Sequence, residues 1–228
     1  MKYYLEIQYF GRGSSKAGGG GGGNTPKQSA QPVQPVQPTP PPAKPQSPFD
    51  QVLGTQGQPI PMTTAVKTVN PNYKKNKAYK INCQRVVYAY EMQRRGYNVE
   101  AQGNFTPYDG FANAYTGGYR NVFRGQHWIG NLGTRRKTVI NNIHNQMNQW
   151  GDGARAVIQV AWNGRRSGHI FNIEQVNGRS IAIDAQTGHR VSLTQYINQA
   201  MPSSVQMCRL DNLTTPTNNL LKCIKPAT

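Results

Sequence analysis

Apolar residues recur at helical spacing directly after Asn82. Counting from Cys83, they follow at the third, fourth and seventh positions, as Val86, Val87 and Tyr90. This spacing places them on one face of a helix together with the cysteine. Asn82 is suited to the N-cap, and Gly96 is suited to the residue after the helix. The pattern therefore predicts a helix that begins at Cys83 and turns its thiol side inward.

A second helix is predicted near residues 134–150, before Gly151-Asp152-Gly153. Its apolar face contains Val139, Ile140, Ile143, Met147 and Trp150. Period-two and β-branched patterns then follow. They predict a short extended piece at 97–101, strands at 154–162, 168–176, 179–184 and 205–210, and a short helix at 193–200. We expect Ser192 to cap that helix, Pro202 to stop it, and the C-terminal tail to fray.

Asn177-Gly178 is a strong signal for a two-residue hairpin loop. With this loop Val176 lies opposite Arg179, and counting back places Phe171 opposite Asp184 and His169 opposite residue 186. Opposed residues of an antiparallel pair share a face, as do alternate residues of one strand. His169 and Asp184 are therefore predicted to be diagonal neighbours, on the order of 7 Å apart at their Cα atoms.

These positions suggest nucleophilic chemistry. A cysteine at a helix N-terminus lies at the positive end of the helix dipole, which favours the thiolate. A carboxylate beside His169 would orient the imidazole, and Cys83 would complete a set of nucleophile, base and orienting group. The alternative is a structural Cys83 and a core His169 that Asp184 satisfies. The other cysteines, Cys208 in a predicted strand and Cys223 in the tail, gain no helix dipole. The other histidines are poorer bases, because His127 lies in the loop, His144 has no placed carboxylate and His189 follows a turn glycine.

Composition divides the chain into three parts. Most of the 16 prolines precede Asn72, and a glycine run fills residues 18–23. We expect residues 1–75 to be a disordered arm and linker, with a polyproline II spacer at 31–42 and a polar approach from 49. Residues 76–213 are predicted to form one domain and 214–228 a tail. The three cysteines are an odd number without zinc-site spacing, so we expect no disulfide framework, metal or cofactor.

Residues 103–133 show no clear period and are predicted to be a long, partly ordered loop. They are rich in aromatic residues: Phe105, Tyr108, Phe111, Tyr115, Tyr119, Phe123 and Trp128. Loops of this length are usually functional or disordered. Cover over a site and simple packing are both open for these rings.

The formal net charge is +17, and residues 76–228 contribute 18 basic and seven acidic groups to it. Such a balance attracts polyanions without sequence specificity, so non-specific nucleic-acid contact is one expectation and charge for solubility the other. We recognise no signal peptide and no apolar run of membrane-spanning length, and expect no membrane partner.

Several spaced blocks resemble a known family. They are Asn82-Cys83, residues 90–101, residues 153–156, residues 168–174 and residues 183–188. In order and content, over roughly residues 80–211, they are similar to the papain-fold toxin domain of polymorphic and phage-associated toxins. The resemblance implies an α+β papain-like fold, with the nucleophile helix packed on a small antiparallel sheet.

The same resemblance implies a Cys-His-Asp triad made of Cys83, His169 and Asp184. It implies deamidation of protein glutamines, with peptide cleavage as the alternative, on a host protein and without a cofactor. The backbone N–H of Cys83 would stabilise the oxyanion, and Gln186 and Asn82 are candidates for supporting the substrate or the oxyanion. None of Gln56, Gln58 and Gln84 takes the place of the glutamine that precedes the nucleophile in papain-like proteases.

Residues 7–15 resemble the leader of head and minor structural proteins of tailed phages and prophages. This resemblance implies capsid or portal proteins as partners of the N-terminal arm, and we expect the protein in a phage virion or in the bacterial cytoplasm. Two other functions are open: a non-catalytic basic phage protein associated with packaged DNA, and a linker protein whose papain-like domain has decayed.

Overall fold

The computed structural model describes residues 48–105, 110–113 and 116–228. The helices are α1 Pro48–Leu53, α2 Met62–Thr68, α3 Cys83–Arg94, α4 Arg136–Trp150 and α5 Leu193–Gln199. The strands are β1 Val99–Ala101, β2 Arg155–Ala161, β3 Gly168–Val176, β4 Arg179–Asp184, β5 His189–Val191, β6 Gln206–Arg209 and β7 Ile224–Pro226. Short 3-10 helices lie at Lys77–Lys80, Gly118–Asn121, Pro202–Ser204 and Leu220–Lys222. The arm predicted for the N-terminus lies, over 1–47, outside the described residues.

An antiparallel sheet of five strands has the order β5-β4-β3-β2-β6, and β1 pairs separately with β7. The predicted hairpin register is confirmed, because Val176 lies opposite Arg179 and the pairing continues in step to Asn172 opposite Ile183. Asn177 and Gly178 have φ angles of 49° and 70°, the pair of positive values that a type I′ turn requires. This mixture of helices and antiparallel sheet confirms the predicted α+β class.

The two faces of the large sheet bury different helices. One face packs against α3 through apolar side chains that include Val157, Ile170 and Ile183. The other face packs against α4 and α5 through the alternate positions of the same strands, among them Ile158, Phe171 and Ala182. This alternation follows from the period of two along a strand.

Helix α3 is buried on nearly every side, whereas the sequence predicts a single inward face. Of its residues, only Gln84 and Arg94 are partly exposed. The side away from the sheet is covered by the C-terminal segment and by the region before α4, where the Arg85 guanidinium donates to the carbonyl of Lys222 and the Tyr88 hydroxyl to that of Tyr119. The covering segments are distant in sequence, so helical periodicity alone does not reveal them.

Two buried carboxylates join α3 to the rest of the fold. Glu91 accepts from Arg95 at 2.7 Å and from Arg155 of β2 at 2.8 and 2.9 Å. Glu174 of β3 accepts from the Tyr90 hydroxyl at 2.7 Å and from both ends of the Arg94 guanidinium. Each buried charge is therefore paired and hydrogen-bonded, which is the condition for tolerating it inside a protein.

Contacts extend beyond the sequence-based bounds of 76–213 at both ends. In α2, Met62, Ala65 and Val66 join the core, although residues 49–80 read as a polar approach. At the other end Ile224 is fully buried and β7 pairs with β1. The prediction of a fraying tail is wrong, because the edge of β1 offers backbone groups that β7 can pair with.

The long region at 103–133 contains one short 3-10 helix and otherwise irregular backbone among its described residues. Phe111, Tyr119 and Phe123 are buried in the core that contains α3, whereas Phe105 is 65% exposed. Packing is therefore the main use of these aromatics, although Tyr119 also borders a cleft described below. Tyr108 and Tyr115 lie outside the described residues. No helix in the described ranges is long and apolar enough to cross a membrane.

We predict that Glu91→Gln lowers the free energy of unfolding by about 3–5 kcal/mol, because it leaves two guanidinium groups without their carboxylate. Urea denaturation measures this change. Asp211→Asn is the matched control, since Asp211 also pairs with an arginine but is 15% exposed. It should cost less than about 1 kcal/mol. Equal costs for the two variants would contradict the assigned role of Glu91.

Candidate active site

Cys83 is the first residue of α3, as predicted, but the helix is capped in an unexpected way. Asn82 occupies the N-cap position with φ −106° and ψ 22°, and its side chain makes no capping hydrogen bond. We assign the Gln186 amide the orientation in which its oxygen faces the N–H groups of Cys83 and Asn82, because both are donors. The oxygen then accepts from them at 2.9 and 3.0 Å. A residue 103 positions away in sequence thus caps the nucleophile helix.

The side chain of Asn82 is used inside the scaffold. It is fully buried and donates to the carbonyl of Gln102 at 2.9 Å and to Asn70 Oδ1 at 3.1 Å. Asn70 in turn donates to the backbone oxygen of Gln186 at 3.0 Å. Because Asn82 does not line the cavity at Cys83, its place fits support of the helix and not contact with a substrate.

His169, the second residue of β3, lies beside Asp184 as the hairpin register predicts. Its Nε2 is 3.3 Å from Asp184 Oδ2, and the imidazole lines one cavity with the Cys83 thiol and interacts with it electrostatically. The contact at Nε2 leaves Nδ1 as the ring nitrogen available to the sulfur. Burial of the ring opposes its charged form, but the contacts with Asp184 and Cys83 outweigh burial and raise the pKa of His169 from 6.5 to about 10.

The carboxylate of Asp184, the last residue of β4, is held by two donors besides the imidazole. Oδ1 accepts from the N–H of Gln186 at 3.1 Å and Oδ2 from the Tyr196 hydroxyl at 2.8 Å, while the Thr187 hydroxyl donates to the backbone carbonyl of Asp184 at 3.2 Å. Burial favours the neutral acid, but His169 and these donors lower the pKa of Asp184 below its usual value. Asp184 is therefore a carboxylate whose orientation is set.

Aromatic rings enclose the imidazole. Trp162 stacks on His169 with ring centroids 6.0 Å apart, and Phe171 stacks at 6.2 Å. Tyr196 meets the imidazole edge-on at 5.9 Å, and burial together with the charge of Asp184 raises the pKa of its hydroxyl, so it remains a donor. The rings restrict the imidazole to the orientation that faces Asp184.

A cavity of about 490 Å³ opens at the sulfur. It is lined by Cys83, His169, Asp184, Gln186, Gln84 and neighbouring residues from the start of β3 and from Lys80-Ile81. The structure thus brings together the three predicted triad residues and Gln186. The expected oxyanion donor is engaged, however, because the Cys83 N–H already donates to Gln186. Gln186 accordingly presents an acceptor at this point, the opposite polarity from an oxyanion donor.

Gln84 is placed at the sulfur, a position that the sequence did not assign to it. The Cys83 thiol donates to Gln84 Oε1 at 3.4 Å, and Gln84 is the part-exposed residue of the first helical turn. Gln56 lies elsewhere and donates to the carbonyl of Arg95.

The remaining cysteines differ from Cys83 in their surroundings. Burial raises the pKa of Cys208 to about 11 and raises that of Cys223 further, and both side chains are fully buried. The described residues contain no group of three or more His, Cys, Asp or Glu side chains arranged to hold a metal ion.

Two residues of the site are absent from the sequence-based set. Val160 of β2 lies opposite His169, and Trp162 is two residues after Val160. The β2–β3 register would therefore have placed Trp162 on the same face of the sheet as His169. Tyr196 was assigned to the short helix before Pro202, but nothing in its spacing relates that helix to Asp184. Gly168 has a definite use, because a Cβ there would lie 2.3 Å from the carbonyl oxygen of Val160.

The arrangement of helix, sheet and site defines a protein of papain-like architecture. Residues 81–189 match the model of a family described as papain fold toxin 1, glutamine deamidase. The matched range includes Cys83, His169, Asp184 and Gln186 and covers somewhat less than half of the chain. It supports the resemblance to papain-fold toxins and points to a glutamine deamidase-like activity. Comparisons with curated proteins and with solved structures give no match.

We predict that the His169 imidazole stays protonated at pH 8, where an unperturbed imidazole is neutral. Since the folded pKa of about 10 exceeds the usual 6.5, the stabilisation from this charge is fully present below pH 6.5 and is lost as the pH rises through about 10. NMR titration of labelled histidine measures the midpoint. Asp184→Asn should lower the midpoint of His169, and a wild-type midpoint near 6.5 would contradict the contact between His169 and Asp184.

We predict that Gln186→Leu lowers the free energy of unfolding by about 1–3 kcal/mol, because it leaves two buried N–H groups without an acceptor. Gln186→Glu retains an oxygen at the same place and should recover most of this loss. Urea denaturation of both variants tests the cap, and a Leu variant as stable as the wild type would argue against it.

Proposed function

We propose that the protein is a cysteine-dependent amidohydrolase that converts glutamine side chains of a protein substrate to glutamate. The observation that supports this most is the convergence of Cys83, His169 and Asp184 in one cavity, with the imidazole between the sulfur and the carboxylate. The family description, which names glutamine deamidase, agrees with the chemistry that such a set performs.

In the first half of the proposed reaction, the Cys83 thiolate attacks the carbonyl carbon of the glutamine carboxamide. A C–S bond forms, and the tetrahedral intermediate carries its charge on oxygen. The His169 imidazolium donates its proton to the amide nitrogen, the C–N bond breaks, and ammonia leaves a thioester on Cys83. The raised pKa of His169 suits this step, because the imidazolium is the abundant form before attack.

In the second half a water molecule attacks the thioester carbon. Neutral His169 accepts the proton of the water, the C–S bond breaks, and Cys83 leaves as the thiolate while glutamate departs. The reaction consumes one water and releases one ammonia. Asp184 remains a carboxylate throughout and stabilises the imidazolium that forms and decays in the cycle.

Gln84 is the donor that we assign to the oxyanion. Its backbone N–H lies in the first turn of α3 and has no acceptor within the described part of the chain. The carboxamide oxygen of Gln84 accepts from the thiol, so the donor that Gln84 offers here is its backbone N–H. This N–H, one residue after the nucleophile, would stabilise the oxygen of the intermediate. Gln186 would then hold the helix in place while Gln84 meets the charge.

A peptidase would use the same residues on a backbone amide. The deamidase is preferred because the family description specifies glutamine deamidase.

The leader-like residues 7–15 favour carriage by a phage particle, with capsid or portal proteins as partners of the arm. We propose residues 76–213 as the catalytic domain, with residues 1–75 before it and residues 214–228 after it.

Cys83→Ala and His169→Ala should abolish ammonia release from a glutamine-containing protein, and Asp184→Ala should reduce it by about 10²–10⁴-fold. Intact mass of the substrate should rise by about one dalton per event. Cys208→Ala is the matched control and should retain activity. New peptide termini without the mass shift would show a peptidase instead.

Iodoacetamide should alkylate Cys83 selectively at pH 7, since burial keeps the other two thiols protonated. His169→Ala should slow this alkylation. Equal labelling of all three cysteines, with Cys83→Ala unchanged in every assay and a steep salt dependence of DNA binding, would support the non-catalytic basic protein instead.

A further inference from the structure

A second, larger cleft opens beside the sulfur. Its volume is about 590 Å³, and it shares Gln84, Ser167, Gly168 and His169 with the cavity at Cys83. The two hollows therefore form one continuous depression across the start of β3. A polypeptide whose glutamine side chain reached Cys83 would continue through the larger cleft.

Two arginines line this cleft, and no described acidic residue forms an ion pair with either. Arg165 and Arg166 lie in the β2–β3 connection, which is closed by a hydrogen bond of 2.9 Å from the Trp162 N–H to the Ser167 carbonyl. Both side chains are exposed, and within the described ranges neither forms an ion pair. Since His169 follows three residues after Arg166, the hairpin that places the base also places these charges.

Among the described residues, Asp184 is the one carboxylate that lines the two hollows, and it is paired with His169. Of the described acidic residues, Glu91, Glu100, Glu174, Asp184 and Asp211 are in ion pairs. Neither Asp50 nor Asp152 lines the cleft, and Asp152 accepts from the N–H of Gly178 at the opposite end of β3. Lys80 adds a positive charge on the cavity side.

The floor of the cleft also favours an acceptor-rich ligand. Gln159 Oε1 accepts from Arg120 at 3.0 Å and from the Tyr119 hydroxyl at 2.7 Å, and Gln206 Oε1 accepts from Arg120 at 3.0 Å. The Gln159 oxygen accepts two hydrogen bonds, which uses both of its lone pairs, so Gln159 has its NH₂ donors left to offer a ligand. Donors and positive charge together match carboxylates.

From this we infer that the cleft binds an acidic stretch of the substrate protein next to the target glutamine, with Arg165 and Arg166 meeting its Asp or Glu side chains. The inference rests on the proposed deamidase function. An acidic polypeptide is preferred to a nucleic acid because the cleft leads to a sulfur whose chemistry requires a carboxamide.

The test uses the full chain and two peptides that differ only in the residues flanking one glutamine, Asp and Glu in one and Ser and Ala in the other. Ammonia release should give a kcat/KM about tenfold higher for the acidic peptide at low salt, and this preference should shrink at 0.5 M salt. The double variant Arg165→Gln, Arg166→Gln should lose the preference for the acidic peptide. Arg136→Gln with Lys137→Gln, exposed at the start of α4, is the charge-matched control and should keep the preference.

Binding separates this inference from the proposed chemistry. Fluorescence anisotropy of the acidic peptide on Cys83→Ala should show affinity that depends on Arg165 and Arg166. If that dependence is found but no peptide releases ammonia, the proposed activity fails and the acidic-ligand cleft stands. Ammonia released equally from both peptides would overturn the inference alone. It would also be overturned if a single-stranded oligonucleotide displaced the acidic peptide through the same two arginines while the peptide bound no better than its neutral counterpart.

Discussion

The end of strand β4 is the constraint on which the rest of the site depends. Within three residues, Asp184 contacts the imidazole of His169 and Gln186 caps the helix that begins at Cys83. Their placement follows from the β3–β4 register, which the Asn177-Gly178 turn sets. A slip of one residue would move Asp184 to the α3 face of the sheet and separate it from the imidazole. One tight turn thus determines both the base and the support of the nucleophile.

The distribution of charge inside the fold accounts for the character of its surface. Carboxylates are few, and Glu91 and Glu174 form ion pairs that join α3 to the sheet. Asp184 pairs with His169 in the site. The chain has a net charge of +17, and three of its basic residues, Arg165, Arg166 and Lys80, line the depression at Cys83. The same internal pairing that orders the nucleophile helix leaves a positive cleft beside it.

Local patterns predicted the elements well. The helix from Cys83, the helix before Gly151 and the strands around Asn177-Gly178 all depend on spacing within a few turns or on one loop, and the structure contains them. Predictions failed where distant segments meet. Helix α3 is covered on its outer side, and β7 pairs with β1 from the far end of the chain. Tyr196, Trp162 and the cap by Gln186 likewise arise from packing between elements that sequence spacing does not connect.

The sequence by itself determined that His169 and Asp184 are neighbours, because strand alternation and a two-residue turn leave one register. It also determined that Cys83 begins a helix, because the helical spacing of apolar residues starts there and Gly96 ends the helix. Only the tertiary structure decided that the sulfur meets the ring. Alternation places His169 on the face toward α5, while α3 packs on the other face, so they meet only at the edge where β3 begins and β4 ends. That meeting depends on packing of the whole sheet between its helices, which no local pattern encodes.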